Sequence, residues 1–309
     1  MWVKIPNNFH QRAVVQQSNN HRKPIYYMSK ETSFKKEFTI GGDRIVRRMG
    51  YGAMRITGKG IWGPPKDKAE ALRVLKRAVE LGVTFIDTAD SYGPHISEEL
   101  INEALYPYPP DLVIATKGGL LRTGPDQWPV DASPEHLKNA LEGSLARLNL
   151  DQIELYQLHR IDPKVPAEKT FEFLQGVQEE GLVKHIGLSE VSVEDIKRAE
   201  EYFEVVSIQN MYSVDNRKWE SVLKYCEQTN KAFIPWYPLN AGNVESMKKI
   251  EDVAKEVGAT PHQVALSWLL HHSPNILLIP GTSSVSHLEE NIKAELISLT
   301  PAQMKKLEL

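Results

Sequence analysis

The sequence predicts an α/β chain folded as a single (β/α)8 TIM barrel, with an N-terminal β-hairpin closing its bottom. Eight short apolar runs alternate with amphipathic stretches of roughly ten residues or more, the pattern of βα units that feed a parallel sheet. No composition break or linker divides the 309 residues, and that length accommodates one barrel of roughly 250 residues plus extensions. The first run is not followed by GxGxxG, which removes the main support for a doubly wound dinucleotide-binding sheet.

The first 28 residues carry Lys, Arg and His but no acidic side chain, and are rich in Asn and Gln. With one serine, Ser18, and no amphipathic period, they make a poor transit peptide. They are expected to be a disordered or non-native extension, with Met28 as the true start and residues 29–309 as one barrel domain. Residues 38–49, FTIGGDRIVRRM, then alternate about Gly41, Gly42 and Asp43, the chemistry of a hairpin turn.

The strand candidates follow in order: MGYGAM at 49–54, TFIDTA at 84–89, LVIATK at 112–117, IELYQLH at 153–159, HIGLSE at 185–190, VVSIQN at 205–210, AFIPWYPL at 232–239 and ILLIPG at 276–281. Their near-continuous apolar character fits strands covered on both faces. Helices are expected at 66–81, stopping before Gly82, and at 133–148, with Ser133 as N-cap and Pro134 at the first position. Two more start at Pro261, after Thr260, and at about Val285.

Hydrophobic residues at 41%, charged residues at 25% and a formal net charge of −3 give no electrostatic preference for nucleic acid or an anionic membrane. The longest apolar runs, such as VALSWLL at 264–270, fall far short of the roughly 20 residues that a membrane span needs. Cys226, alone of its type, can form no internal disulfide and no CxxC metal site, so a reducing, cytoplasmic setting is expected. His271 and His272 are adjacent on an expected helix and do not converge as an i, i+4 pair would, so no metal is expected.

In such barrels the chemistry sits at the C-terminal ends of the strands. FIDTADSYG places Asp87 within the second candidate and Tyr92 just beyond it, VIATKGG ends the third with Lys117, and LYQLHRID ends the fourth with His159. A phenol with its ordinary pKa near 10 protonates a carbonyl slowly at neutral pH unless a cation stabilises the phenolate, and Lys117 is that cation. An ammonium carried into the barrel mouth needs a counter-charge, which Asp87 supplies from one strand over. His159 is placed to hydrogen-bond the substrate oxygen or Tyr92, a contribution commonly worth about 10² to 10⁴ in rate. Taken singly, each has a plainer reading as a salt bridge, a core histidine or a packed tyrosine; their joint placement argues for a catalytic group.

The ordered set FIDTADSYG, VIATKGG, LYQLHRID, HIGLSEVS and IPGTSSVSHLEEN resembles the aldo-keto reductase family, over essentially everything from residue 38 onward. The resemblance implies reversible hydride transfer between NADPH and an aldehyde or ketone, with Tyr92 as general acid, Lys117 and Asp87 tuning it, and His159 orienting the carbonyl. It implies cofactor contacts from Gly52, Ala53 and Met54, from Ser189 and Gln209 on the carboxamide, and from Trp236 stacked on the nicotinamide ring beside Tyr237, Pro238 and Leu239. Gly281, Thr282, Ser283, Ser284, His287, Glu290 and Asn291 would surround the adenosine 2′-phosphate and adenine, where small residues with free N–H groups at a helix start suit a phosphate. Many family members have a Lys and an Arg where this chain has Gly281 and His287, and an Asn where it has Glu190. NADPH is expected over NADH, although two cations that would pair the extra phosphate are missing.

Trp62, in RITGKGIWGPP, and Trp128 are expected to wall the substrate site with Tyr92 and His159. Little sequence follows the last expected helix, so the pocket is expected to be open and shallow on that side. EALYPYP at 103–109, GLVKHIGLS at 181–189 and SPNILLIPGTSSV at 273–285 are most similar to a bacterial subgroup that includes pyridoxal reductases. An aromatic aldehyde between tryptophans is physically sensible, so reduction of pyridoxal to pyridoxine is the expected reaction. A general aldehyde reductase of detoxification is one alternative. A non-catalytic binding subunit, like the similar β subunits of voltage-gated potassium channels, is another. Nothing marks a tetramer interface, so a monomer or weak homo-oligomer is expected.

Overall fold

The computed structural model describes residues 34–237 and 244–308. The expected N-terminal extension, Pro238 and Leu239 lie outside the described residues. The hairpin is formed by β1 (Glu37–Ile40) and β2 (Arg44–Arg47), with Ile40 opposite Arg44. Its turn requires glycine at Gly41, where φ is +57° and a Cβ would lie 2.2 Å from the His185 ring.

The βα repeat then runs β3 (Tyr51–Gly52), α1 (Lys68–Glu80), β4 (Phe85–Asp87), α2 (Ile96–Leu105), β5 (Val113–Gly118), α3 (Pro134–Leu148), β6 (Ile153–Leu158) and α4 (Ala167–Glu179). It continues through β7 (Val183–Ser189), α5 (Val193–Ala199), β8 (Val205–Gln209), α6 (Glu220–Thr229), β9 (Ala232–Phe233), α7 (Val244–Val257), α8 (Pro261–His272), α9 (Val285–Lys293) and α10 (Pro301–Leu307). Helix starts follow the expected chemistry: Ser133 caps α3 and Thr260 caps α8. The α1 start falls two residues later than expected because Asp67 accepts the Glu70 N–H.

Strands β3 to β9 pair in parallel, each with its neighbour in sequence. Four expected strands are shorter than the sequence suggests, and of TFIDTA only Phe85–Asp87 is strand. After Gly52 the chain turns at once into a 3-10 helix over Ala53–Ile56, and β9 ends at Phe233. The ILLIPG run at 276–281 forms no ladder of its own, but single parallel bridges, Met49 to Leu278, Gly52 to Gly281 and Phe233 to Ile276, seat it between β3 and β9 and close the barrel.

Two prolines account for the shortness of β9 and of the 276–281 run. Phe233 donates to Asn275 O and accepts from Leu277 N, so Pro235 is next in line to donate on that side and has no N–H. On the other side Leu278 donates to Arg48 O and accepts from Gly50 N, and Pro280 breaks the sequence in the same way.

Alternation along the strands separates two cores. Phe85, Val113, Ala115, Leu155, Ala232, Ile234, Leu277 and Ile279 fill the barrel, joined by Phe38, Ile40 and Val46 from the hairpin, which plugs its N-terminal end. Ile86, Ile114, Tyr156, Leu188 and Ile208 face outward against the helices. The segment after α9 docks α10 against α7 and α8, with Leu307 buried. Among the described residues, no helix is long and apolar enough to cross a membrane.

Candidate active site

At the C-terminal ends of β4, β5 and β6 the inward register changes from apolar to polar. Asp87, Lys117 and His159 are 2%, 0% and 6% exposed, and Tyr92, in the turn after β4, is 7% exposed. Lys117 Nζ donates to Asp87 Oδ1 at 2.6 Å and to Thr88 O at 2.8 Å. It also lies 5.2 Å from the Tyr92 ring centre. The Tyr92 and His159 rings meet edge to face at 5.9 Å. The structure thus brings together all four residues expected from the sequence.

Burial pushes the Tyr92 phenol above its usual value, so the group is held as a neutral acid, and Lys117 offsets the burial in part, in the direction expected of a cation beside a phenol. Burial opposes a charge on Lys117, but Asp87 and Tyr92 outweigh it and the ammonium is held above its usual range. Burial, reinforced by Lys117 and Arg160, pushes His159 well below the usual imidazole range, so its ring is neutral. The Nδ1 of His159 is buried without a partner.

Two contributors, Gln157 and Arg160, were not singled out from the sequence. Gln157 Nε2 donates to Asp87 Oδ2 at 3.0 Å, and Gln209, expected on a carboxamide, donates to the same oxygen at 2.9 Å. Both carboxylate oxygens are thereby held. Arg160 Nη1 donates to His159 O at 2.6 Å and to Ser189 Oγ at 2.9 Å, which places a cation beside the expected carboxamide position. Glu190, with φ at +56°, accepts from Met211 N at 2.6 Å and from Trp236 Nε1 at 2.7 Å, so its carboxylate fixes the indole. Tyr237 is 51% exposed beside Trp236, with ring centres 6.3 Å apart.

The remaining cofactor candidates gather on the same mouth. Gly52 has no room for a side chain, since a Cβ would lie 2.5 Å from Ile279 O. Ala53 and Met54 follow in the 3-10 turn, with Met54 packed against the Tyr92 cluster. Gly281, Ser283 and His287 are exposed, Thr282 and Asn291 buried, and Ser284 and Glu290 half-buried. The helix start is less open than expected, because Val285 N–H donates to Glu70 Oε1 at 3.0 Å and Ser284 N–H to Thr282 Oγ1 at 3.1 Å. Arg55 stands against Gly281: a Cβ built there would lie 3.4 Å from Arg55 Cγ. Among the described residues, no group of three or more His, Cys, Asp or Glu side chains is placed to hold a metal ion.

Trp62 and Trp128 lie on the same rim as Tyr92. Trp62 is 37% exposed and bridges to Gly93, and Trp128 meets the Tyr92 ring edge-on at 6.3 Å.

Residues 48–308 match the model of the Aldo/keto reductase family. The chain is 54% identical over 268 residues to an uncharacterised oxidoreductase of Schizosaccharomyces pombe, covering 86% of this chain and 87% of that one. It is 43% identical over 277 residues to pyridoxine 4-dehydrogenase of Escherichia coli, covering 88% and 96%. An aldo/keto reductase from Klebsiella pneumoniae, solved with NADP and acetate, superposes with a TM-score of 0.74 at 25% identity, covering 89% of this chain and 94% of that one.

Proposed function

The chain belongs to the aldo/keto reductase family, oxidoreductases of CH–OH and carbonyl groups, and on that premise we propose that it reduces pyridoxal to pyridoxine with NADPH. The observation that carries the reading is the setting of Tyr92, a buried neutral phenol with the Lys117 ammonium 5.2 Å from its ring centre and His159 at its edge. When bound, the cofactor supplies hydride to the carbonyl carbon. Tyr92 Oη gives the proton to the carbonyl oxygen, and Lys117 stabilises the phenolate left behind. Asp87, held by Gln157 and Gln209, keeps Lys117 charged and aimed. Neutral His159 orients the oxygen, and the burial of all four excludes water.

Ser189 and Trp236 would hold the nicotinamide, with Gln209 turning its amide toward the carboxamide. Gly281 to Ser284 would hold the phosphate end, with Arg55 supplying a cation that the turn itself lacks. NADPH is supported by the Klebsiella structure, and pyridoxal by the Escherichia coli relative together with Trp62 and Trp128 on the rim. A cytoplasmic monomer or dimer completes the proposal.

The test follows NADPH consumption with pyridoxal against a panel of simple aldehydes, repeated with NADH, alongside a sizing column. The expected result is the highest kcat/KM for pyridoxal with NADPH. A simple aldehyde outpacing pyridoxal favours the general aldehyde reductase, and inactivity on all of them in a tetramer favours the binding subunit.

A further inference from the structure

The rim loops beside Tyr92 converge on one side chain that the chemistry above leaves unused. Arg122, in the loop after β5, donates from Nε to Gln127 O at 2.9 Å. Its Nη1 donates to Ile61 O at 2.6 Å and Ser91 O at 3.0 Å, and its Nη2 to Gly60 O at 2.8 Å and Gly124 O at 3.3 Å. A guanidinium has five N–H donors, and here each finds a backbone carbonyl. Those carbonyls lie on three separate segments: the loop carrying Trp62, the turn carrying Tyr92, and the loop carrying Trp128.

The same guanidinium lies 3.6 Å from the Trp128 ring centre and 5.7 Å from that of Trp62. With its donors taken, Arg122 has none left to grip a carboxylate or phosphate on a substrate. Its contacts instead bring two exposed loops into one arrangement, and Ser91 O ties that arrangement to the residue before Tyr92. Loops of this kind lose binding energy to ordering unless something holds them in advance.

We propose that Arg122 is the positioning residue that sets the substrate class, by holding Trp62 and Trp128 as a preformed slot for a flat aromatic aldehyde beside Tyr92. The proposal deepens the carbonyl reductase reading and rests on it. A short aliphatic aldehyde has no ring to lay against the indoles, so its turnover depends on Tyr92 but little on the slot. A lysine at this position keeps the charge but has only three donors on a point-like ammonium, and does not span the five carbonyls.

The experiment compares wild type, Arg122→Ala and Arg122→Lys on pyridoxal and propanal at saturating NADPH. In both variants the pyridoxal-to-propanal ratio of kcat/KM is expected to fall about tenfold or more, mainly through KM, while NADPH affinity read by protein fluorescence stays within about twofold. A ratio unchanged in Arg122→Ala, or fully restored by Arg122→Lys, overturns the proposal. If the wild type consumes neither aldehyde, that failure belongs to the reductase reading, and the brace is judged by chymotrypsin instead. Cleavage after Trp62, at the bond to Gly63, is then expected to be about tenfold faster in Arg122→Ala, and equal rates overturn the brace as well.

Discussion

At the hairpin end of the barrel, charged side chains lie on the surface in a chain of direct contacts. Arg44 pairs with Glu154, Lys184 reaches Asp43 at 2.7 Å and Glu154 at 3.6 Å, and His185 reaches Asp43 at 2.8 Å. The interior beneath them is apolar, filled by Phe38, Ile40 and Val46. At the mouth the order is reversed, with Asp87 and Lys117 wholly inside and the aromatic rings of Trp62 and Tyr237 outside. Exposed pairs of the first kind are worth about 0–1 kcal/mol each, whereas a buried pair carries a desolvation cost that its attraction only roughly repays. The hairpin end keeps its charges at the surface, and the mouth buries a costly pair that the proposed chemistry requires.

Breaking the mouth should have the largest effect. Lys117→Ala leaves Asp87 buried and unpaired, so a loss of about 3–5 kcal/mol in denaturant unfolding is expected, together with a fall of about 10² or more in kcat. Adding Asp87→Asn removes the stranded charge, and the double variant should recover most of the stability and none of the activity. If stability and activity return together, the ion pair is structural and the two ends of the barrel do not differ in kind.

At the opposite end, Ile40→Ala should cost about 2–5 kcal/mol by opening a cavity in the plug, with kcat and KM close to wild type. Urea unfolding and a standard assay decide it, and a large change in kcat would show that the plug acts on the site.

A smaller effect separates the two regions by pH. Burial, with Glu98 close by, pushes the Asp90 carboxyl up to about 8. A carboxyl raised in the folded state loses stability as pH climbs from its unfolded value to the folded one. Asp90→Asn removes that loss, so its gain in thermal midpoint over wild type should be larger at pH 8 than at pH 5. An equal gain at both values would mean that Asp90 titrates as an exposed carboxyl does.

The four candidate catalytic residues were legible because each stands within, at or just past the end of an apolar run, where a polar side chain is out of pattern. Gln157 carried a readable signal, since it sits two residues before His159 in inward register, between Leu155 and the mouth. Arg122 and Arg160 had no such signal, because the contacts that set them apart run to other segments, to Gly60, Ile61 and Ser91 from Arg122 and to Ser189 from Arg160. The Glu70 contact with Val285 joins residues 215 apart, and no local pattern shows it. Strand lengths failed where hydropathy was read without hydrogen bonding: Pro235 and Pro280 are apolar enough to extend a run and unable to extend a ladder. The hairpin and the capped helices were legible because glycine, serine, threonine and proline fix the backbone locally.

The central claim is that Tyr92 supplies the proton, and the direct measurement is the kcat of Tyr92→Phe for pyridoxal with NADPH, with cofactor affinity and thermal midpoint taken on the same preparation. A fall of about 10² to 10⁴ in kcat, with cofactor affinity and midpoint unchanged, is the predicted result. A variant that keeps more than about a tenth of wild-type kcat would contradict it, since losing a required general acid costs more than that.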